Sequence, residues 1–165
     1  MTTTARPEMP MKAPPTRPPR ELVASPTFLL KHLTWEMKEQ KLAAFEASGL
    51  NPMHYAVLAL LDESARETQA TIADALGYDR SYLVGLLDEV EERGLIERRR
   101  DPDDRRRHLV KLTPAGKETL TKLRAVIRRF EKEFLAPLAD DERQTFQSLL
   151  RRLAAHHDER FANGS

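Results

Sequence analysis

The sequence predicts a mainly α-helical chain that carries one small β-hairpin, and three observations predict it. Helix-start signals recur at Ser25-Pro26, Asn51-Pro52, Thr68, Asp79 and Thr113-Pro114, each leading into apolar residues spaced three and four apart. One stretch, RRRDPDDRRRHLVKLTPAG from Arg98 to Gly116, reads instead as two short extended segments joined by a Pro/Asp turn. After Thr113-Pro114, Gly116, Leu120, Leu123, Ile127, Phe130 and Phe134 step by four and three, which is a heptad seam.

Composition bounds the possibilities. At 165 residues the chain holds one domain and a tail, with 40% hydrophobic, 32% charged and 6% aromatic residues, as in a soluble helical protein. Net charge is only +1, so any attraction to nucleic acid has to be local. Residues 93–111 hold eight Lys/Arg against four Asp/Glu, whereas residues 131–142 lean acidic. The chain has no cysteine, which removes disulfides, thiolate catalysis, Cys-ligated zinc and thiol redox sensing. No apolar run approaches a membrane span and the start of the chain lacks a signal-peptide core, so a cytoplasmic address with no membrane partner is expected.

Residues 1–24 are expected to form a flexible, mildly basic tail. Six of the eleven prolines fall there, with Arg6, Lys12, Arg17 and Arg20 and few apolar groups to offset ordering entropy. Such a tail is a solvated extension, or else an arm that touches DNA backbone or a partner. A helix over 26–48 follows, capped by Ser25 and stopped by Gly49, with Leu29, Leu30, Leu33, Met37, Ala44 and Phe45 on one face. His32 and Trp35 sit on a neighbouring stripe, which predicts cover for a second surface of that helix. The next helix, over 53–62, is apolar on most sides (Tyr55, Val57, Leu58, Leu60, Leu61) and belongs in the middle of the domain.

Thr68 then caps a helix over 69–76 that Gly77 ends, and Asp79 caps another over 80–93 that Gly94 ends. Two short helices joined by a three-residue turn containing glycine make a helix-turn-helix. In the second, Leu83, Leu86, Leu87 and Val90 face inward, Arg80, Ser81, Val84 and Gly85 face outward, and Tyr82 lies near the boundary. The hairpin follows directly, and its arginines cannot pack in a core, so it must project as a wing. The heptad helix runs to Pro137, and a last helix from Asp140 carries Phe146, Leu149, Leu150 and Leu153 on one face. The outer helices hold more apolar surface than a small reading head needs, and dimerisation accounts for the excess.

The fold class is therefore a winged helix-turn-helix plus a helical dimerisation region. Residues 51–113 form the DNA-binding domain, and 25–50 with 114–160 form the dimerisation region. Major-groove reading needs outward residues that are small or polar, with cations placed for phosphates. Gln69, Arg80, Ser81, Tyr82, Val84 and Gly85 are the helix candidates, and Arg99, Arg100, Arg105, Arg106 and Arg107 are the wing candidates. Ser81 can donate or accept, Gly85 permits close backbone approach, and Asp104 with Arg106 braces the turn. The wing arginines suit a narrow minor groove. Solvated charge is the alternative, and six arginines in ten residues around three aspartates weigh against it.

No catalytic set emerges, so no enzyme is expected, nor a cofactor or metal. His32, His54, His108, His156 and His157 show neither zinc-ligand spacing nor a nucleophile partner, and the adjacent pair His156-His157 is read as exposed. His32, Trp35, His54 and Tyr55 either line a small-molecule cleft or are ordinary half-buried residues. Leu120, Leu123, Ile127, Phe130, Phe134, Phe146, Leu149, Leu150 and Leu153 are the expected dimer contacts.

LNPMHYAVLALL, and TQATIADALGYDRSYLVGLLDEVEERGLIERRRDPDDRRRHLVKLTPAG after it, resemble the MarR family of bacterial transcriptional regulators. That family's wing signature, Asp-x-Arg then Leu-Thr-x-x-Gly, is matched by Asp104, Arg106, Leu112, Thr113 and Gly116. The resemblance covers residues 51–116 closely and the outer helices in layout only. It implies an obligate homodimer built on the first, fifth and sixth helices, a near-palindromic double-stranded DNA site, a repressor role and release by a small aromatic ligand. Two departures stand out. Many relatives read Thr-Arg where this chain has Val84-Gly85, which shifts readout toward Arg80, Ser81 and the wing. Absence of cysteine excludes the peroxide-sensing branch. A winged-helix protein-interaction module without DNA binding is the alternative reading.

Overall fold

The computed structural model describes residues 17–64, 67–102 and 108–162, so the expected Asp104/Arg106 brace and Arg105 and Arg107 lie outside the described residues. The chain divides into two units, residues 1–37 and 38–165, and the division falls inside one helix.

In the first unit α1 (Arg20–Val23) is a single helical turn where the sequence predicts only tail. Its start is closed locally, with the Leu22 and Val23 N–H groups donating to the Pro19 carbonyl at 3.0 and 3.2 Å. The helix α2 (Pro26–Phe45) begins as expected, and Ser25 Oγ accepts the Phe28 N–H at 3.4 Å. Several apolar side chains of α2 are exposed among the described residues. Leu29, Leu30, Leu33 and Met37 are exposed, and Trp35 is 64% exposed.

The second unit is organised around α3 (Pro52–Glu63), as its all-round apolarity predicts. Val57 and Leu58 are fully buried in one cluster with Phe45, Ile72, Leu83, Leu87, Leu120 and Leu123. Phe45 is the last residue of α2, and the others come from α4 (Gln69–Leu76), α5 (Arg80–Glu92) and α6 (Pro114–Phe134). The last helix, α7 (Asp140–His157), is followed by a 3-10 turn at Glu159–Phe161.

The heptad seam of α6 is spent differently from expectation. Leu120 and Leu123 are each 1% exposed, and Ile127 and Phe130 are buried too, because this stripe faces the chain's own core. Four of the expected dimer contacts are therefore core residues, and heptad spacing alone does not say which chain fills the seam. Phe134 stacks on Phe130 with ring centroids 5.6 Å apart.

The sheet has three strands in the order β1-β3-β2: β1 (Glu67–Thr68), β2 (Ile96–Arg100) and β3 (His108–Leu112). All pairing is antiparallel, with Arg98 opposite Val110 and Thr68 opposite Leu109. A two-residue strand shows no alternation, which is why sequence periodicity misses β1. Leu109 and Val110 are both buried, so β3 is covered on both faces rather than on alternate residues. The root of the hairpin is locked by the TPAG turn. Thr113 Oγ1 donates to the Gly94 carbonyl at 2.7 Å and accepts the Gly116 N–H at 3.0 Å, capping α6. A Cβ on Gly116 would stand 2.0 Å from the Leu95 carbonyl oxygen, so only glycine fits there.

Candidate nucleic-acid interface

Local chemistry sets the two short helices. Thr68 Oγ1 accepts the Thr71 N–H at 3.2 Å while Thr71 Oγ1 accepts the Thr68 N–H at 2.8 Å, a reciprocal cap on α4. Gly77 ends that helix in the left-handed region at φ +67°. Two residues on, Asp79 starts α5, its Oδ1 accepting the N–H groups of Ser81 at 2.8 Å and Tyr82 at 3.2 Å. Ser81 Oγ also donates to Asp79 Oδ1. That hydroxyl bond, followed by the two backbone bonds, holds the Asp79 carboxyl below its ordinary value, so the cap stays ionised at the positive end of the helix.

The outer face of α5 matches the sequence expectation for accessibility. Leu83, Leu86, Leu87 and Val90 are buried, while Arg80, Ser81, Tyr82, Val84 and Gly85 are exposed. Among the described residues, none outside the helix's own neighbouring backbone lies within 4 Å of where a Gly85 Cβ would stand. Tyr82 sits edge-on to Tyr78, with centroids 5.8 Å apart. Gln69, the first residue of α4, is half-buried. Ser81 differs from expectation in one respect: its proton is committed to Asp79, which leaves its oxygen to act as an acceptor.

On the wing, Arg99 and Arg100 are exposed, and Arg99 Nε pairs with Glu97 Oε1 at 2.8 Å. Arg98 does not project. Its side chain is 20% exposed and turns to α5, where Nη2 meets Asp88 Oδ1 and Nε stands 3.3 Å from Glu91 Oε2. Sequence reading counted Arg98 with the projecting arginines. The available signal was Asp88 and Glu91 three residues apart on α5, close in sequence to an arginine on the following strand.

Of the four cleft candidates, His32 and Trp35 are exposed. Tyr55 is half-buried against Phe45 in an edge-on contact, with centroids 6.2 Å apart. His54 is 2% exposed and structurally engaged. Its Nδ1 accepts the Asn51 N–H at 3.1 Å, completing a reciprocal cap in which Asn51 Oδ1 accepts the His54 N–H at 3.0 Å. Nε2 therefore carries the proton of a neutral ring, and it lies 2.9 Å from Glu89 Oε2. On α7, Phe146 is half-buried, whereas Leu149, Leu150 and Leu153 are exposed. Among the described residues no group of three or more His, Asp or Glu is placed to hold a metal ion, and no helix is long and apolar enough to cross a membrane.

A MarR family model matches residues 48–107. The chain is 32% identical over 139 residues to a putative transcriptional regulatory protein for the hcr operon of Thauera aromatica, covering 79% of this chain and 84% of that one. The transcriptional repressor CouR bound to a 23-mer DNA duplex superposes with a TM-score of 0.75 at 34% identity, over 82% of this chain and 96% of that one. CouR from Rhodococcus jostii RHA1 bound to p-coumaroyl-CoA gives a TM-score of 0.69 at 30% identity, over 82% and 96% of the two chains.

Proposed function

We propose that this chain, which belongs to the MarR family of transcriptional regulators, acts as a homodimeric, ligand-released repressor that binds a near-palindromic DNA site. The observation that carries the reading is the outer face of α5. A capped helix presents Arg80, Ser81, Val84 and Gly85 bare to solvent beside a hairpin lined with arginines. In a two-fold dimer, two such helices would enter successive major grooves about 34 Å apart, with the wings reaching the flanking minor grooves.

Dimerisation is supported by the uncovered leucines of α2 and α7, since a single chain leaves Leu29, Leu33, Leu149 and Leu153 in water. The DNA-bound relative supports duplex DNA as partner, and the p-coumaroyl-CoA-bound relative supports an aromatic acid or its thioester as effector. Release then follows as a population shift, in which the effector favours a spacing of the two α5 helices that no longer matches the groove repeat. Tyr55, half-buried on α3, is proposed to meet it, since Nδ1 of the neighbouring His54 is already taken by the Asn51 N–H.

The test is a mobility shift with the DNA immediately upstream of the protein's own coding region. Retention that survives excess random duplex and is reversed by a phenolic acid or its CoA thioester supports the reading. Indifference to the upstream sequence contradicts it. If alanine at Tyr55 leaves ligand-induced release unchanged, that assignment is wrong.

A further inference from the structure

The wing and α5 are joined covalently only through Arg93-Gly94-Leu95, and β2 is an edge strand of the sheet. An edge strand leaves every other N–H without a ladder partner. At Arg98, the third residue of β2, that vacancy is filled from the helix: the Arg98 N–H donates to Glu91 Oε1 at 3.1 Å. The side chain closes the same junction, with Nη2 donating to Asp88 Oδ1 and the buried Nε standing 3.3 Å from Glu91 Oε2. Asp88 and Glu91 lie three apart on α5, so one turn of the helix presents two carboxylates to one guanidinium. A planar fork with several fixed donors can serve both at once, which a lysine cannot.

Position along the strand gives this junction leverage. A strand rises roughly 3.3 Å per residue, so Arg98 stands about 7 Å beyond the first residue of β2 and halfway along it. The Thr113 and Gly94 contacts hold the root, and β1 holds the β3 side at Val110 and Leu109, whereas on the β2 edge Arg98 makes the contact with α5. Without that contact the wing is held on one side alone, and its β2 edge is free to tilt relative to α5.

We infer that Arg98, Asp88 and Glu91 form a brace that fixes the wing to α5, so that helix and wing dock on DNA as one rigid body. The inference rests on the DNA-binding reading above. It makes Arg98 a positioning residue, and it assigns a favourable role to two acidic side chains that charge alone would count against binding a polyanion. Nearby acids on a DNA-facing surface repel phosphates, so their removal ordinarily tightens binding.

The experiment measures anisotropy of labelled upstream and random duplexes with the full chain, wild type against Asp88→Ala/Glu91→Ala, Arg98→Met and Arg98→Lys. Alanine is a good helix former, so the double variant keeps α5 intact, and thermal unfolding is followed in parallel. The brace predicts that the double variant loses about tenfold or more in affinity although it sheds two negative charges. Arg98→Met loses as much, and combining it with the double variant costs no more. Arg98→Lys fails as Arg98→Met does, because charge without the fork does not restore the junction. Hydroxyl-radical footprints are the readout that a general loss of stability would not move: protection in the flanking minor grooves fades while the central major-groove contacts remain. Tighter binding by the double variant, additive losses, or full retention in Arg98→Lys overturns the brace. Absence of any shift with wild-type protein instead overturns the DNA-binding reading itself, and is seen before a variant is compared.

Discussion

His54 Nε2 stands 2.9 Å from Glu89 Oε2, joining the first turn of α3 to the helix proposed to read DNA. Burial is the main influence on His54 and pushes its pKa below the usual 6.5; Glu89 pulls the other way, and Arg93 adds to the lowering. The folded state thus prefers the neutral ring. Above the usual value the ring is neutral whether folded or not. As pH falls through 6.5 the unfolded chain takes up the proton first, so stability is lost from there down to the lower folded-state value and no further. Melting temperatures taken between about pH 8 and about pH 5 should fall for wild type and fall less for His54→Gln. Equal slopes would show that His54 does not titrate as described.

The Asp79 cap predicts a defect confined to α5. Asp79→Ala removes an acceptor for two backbone N–H groups and the Ser81 hydroxyl and so lowers stability. DNA affinity should fall by more than that stability loss explains, because the first turn carries Arg80 and Ser81. Hydrogen exchange resolved to residues 80–82 checks it: faster exchange confined there is expected, and unchanged protection would contradict the role of the cap.

Ser81→Ala separates reading from folding. With the Ser81 proton committed to Asp79, its oxygen acts as an acceptor suited to an adenine or cytosine amino group in the major groove. The substitution should cost roughly 1–3 kcal/mol against the upstream site and little against random duplex. Equal losses on both would place Ser81 on the phosphates instead.

Arg106→Ala should behave in the opposite way. A wing arginine acting through backbone charge is expected to weaken binding to both duplexes alike and to lower the slope of log affinity against log salt by about one. A loss restricted to the upstream site would contradict this.

Gly116→Ala tests the root of the wing. Its methyl group would meet the Leu95 carbonyl oxygen at 2.0 Å and the Leu112 side chain at 2.7 Å, and the carbonyl belongs to backbone that cannot swing aside. Overpacking of this kind costs roughly 1–3 kcal/mol or more. Chemical denaturation should show it, and an unchanged midpoint would mean that α6 can shift freely at its start.

Much of this fold is legible in the sequence because its helix boundaries are written in local chemistry. Thr68, Gly77, Asp79, Gly94 and Thr113-Pro114 act on their own neighbours within four residues, so their reading needs no tertiary information. What spacing cannot supply is the identity of the partner. The α6 heptad reads as a seam between chains, yet its leucines fill the chain's own core beside α3. The same limit applies at Arg98, which belongs to a run of arginines by sequence and to Asp88 and Glu91 by structure. His54 is a ligand candidate by residue type, yet in the fold its Nδ1 completes the α3 cap and its Nε2 faces Glu89. β1 escaped notice because two residues carry no period.

The central claim is that two copies of this chain grip one DNA site through α5 and the wing. Sedimentation equilibrium of the full chain with the duplex immediately upstream of its coding region measures the stoichiometry directly. The account predicts two chains per duplex, formed from a dimer that already exists without DNA and that dissociates when Leu149 and Leu153 are replaced by glutamate. One chain per duplex, or no complex at low salt, would contradict it.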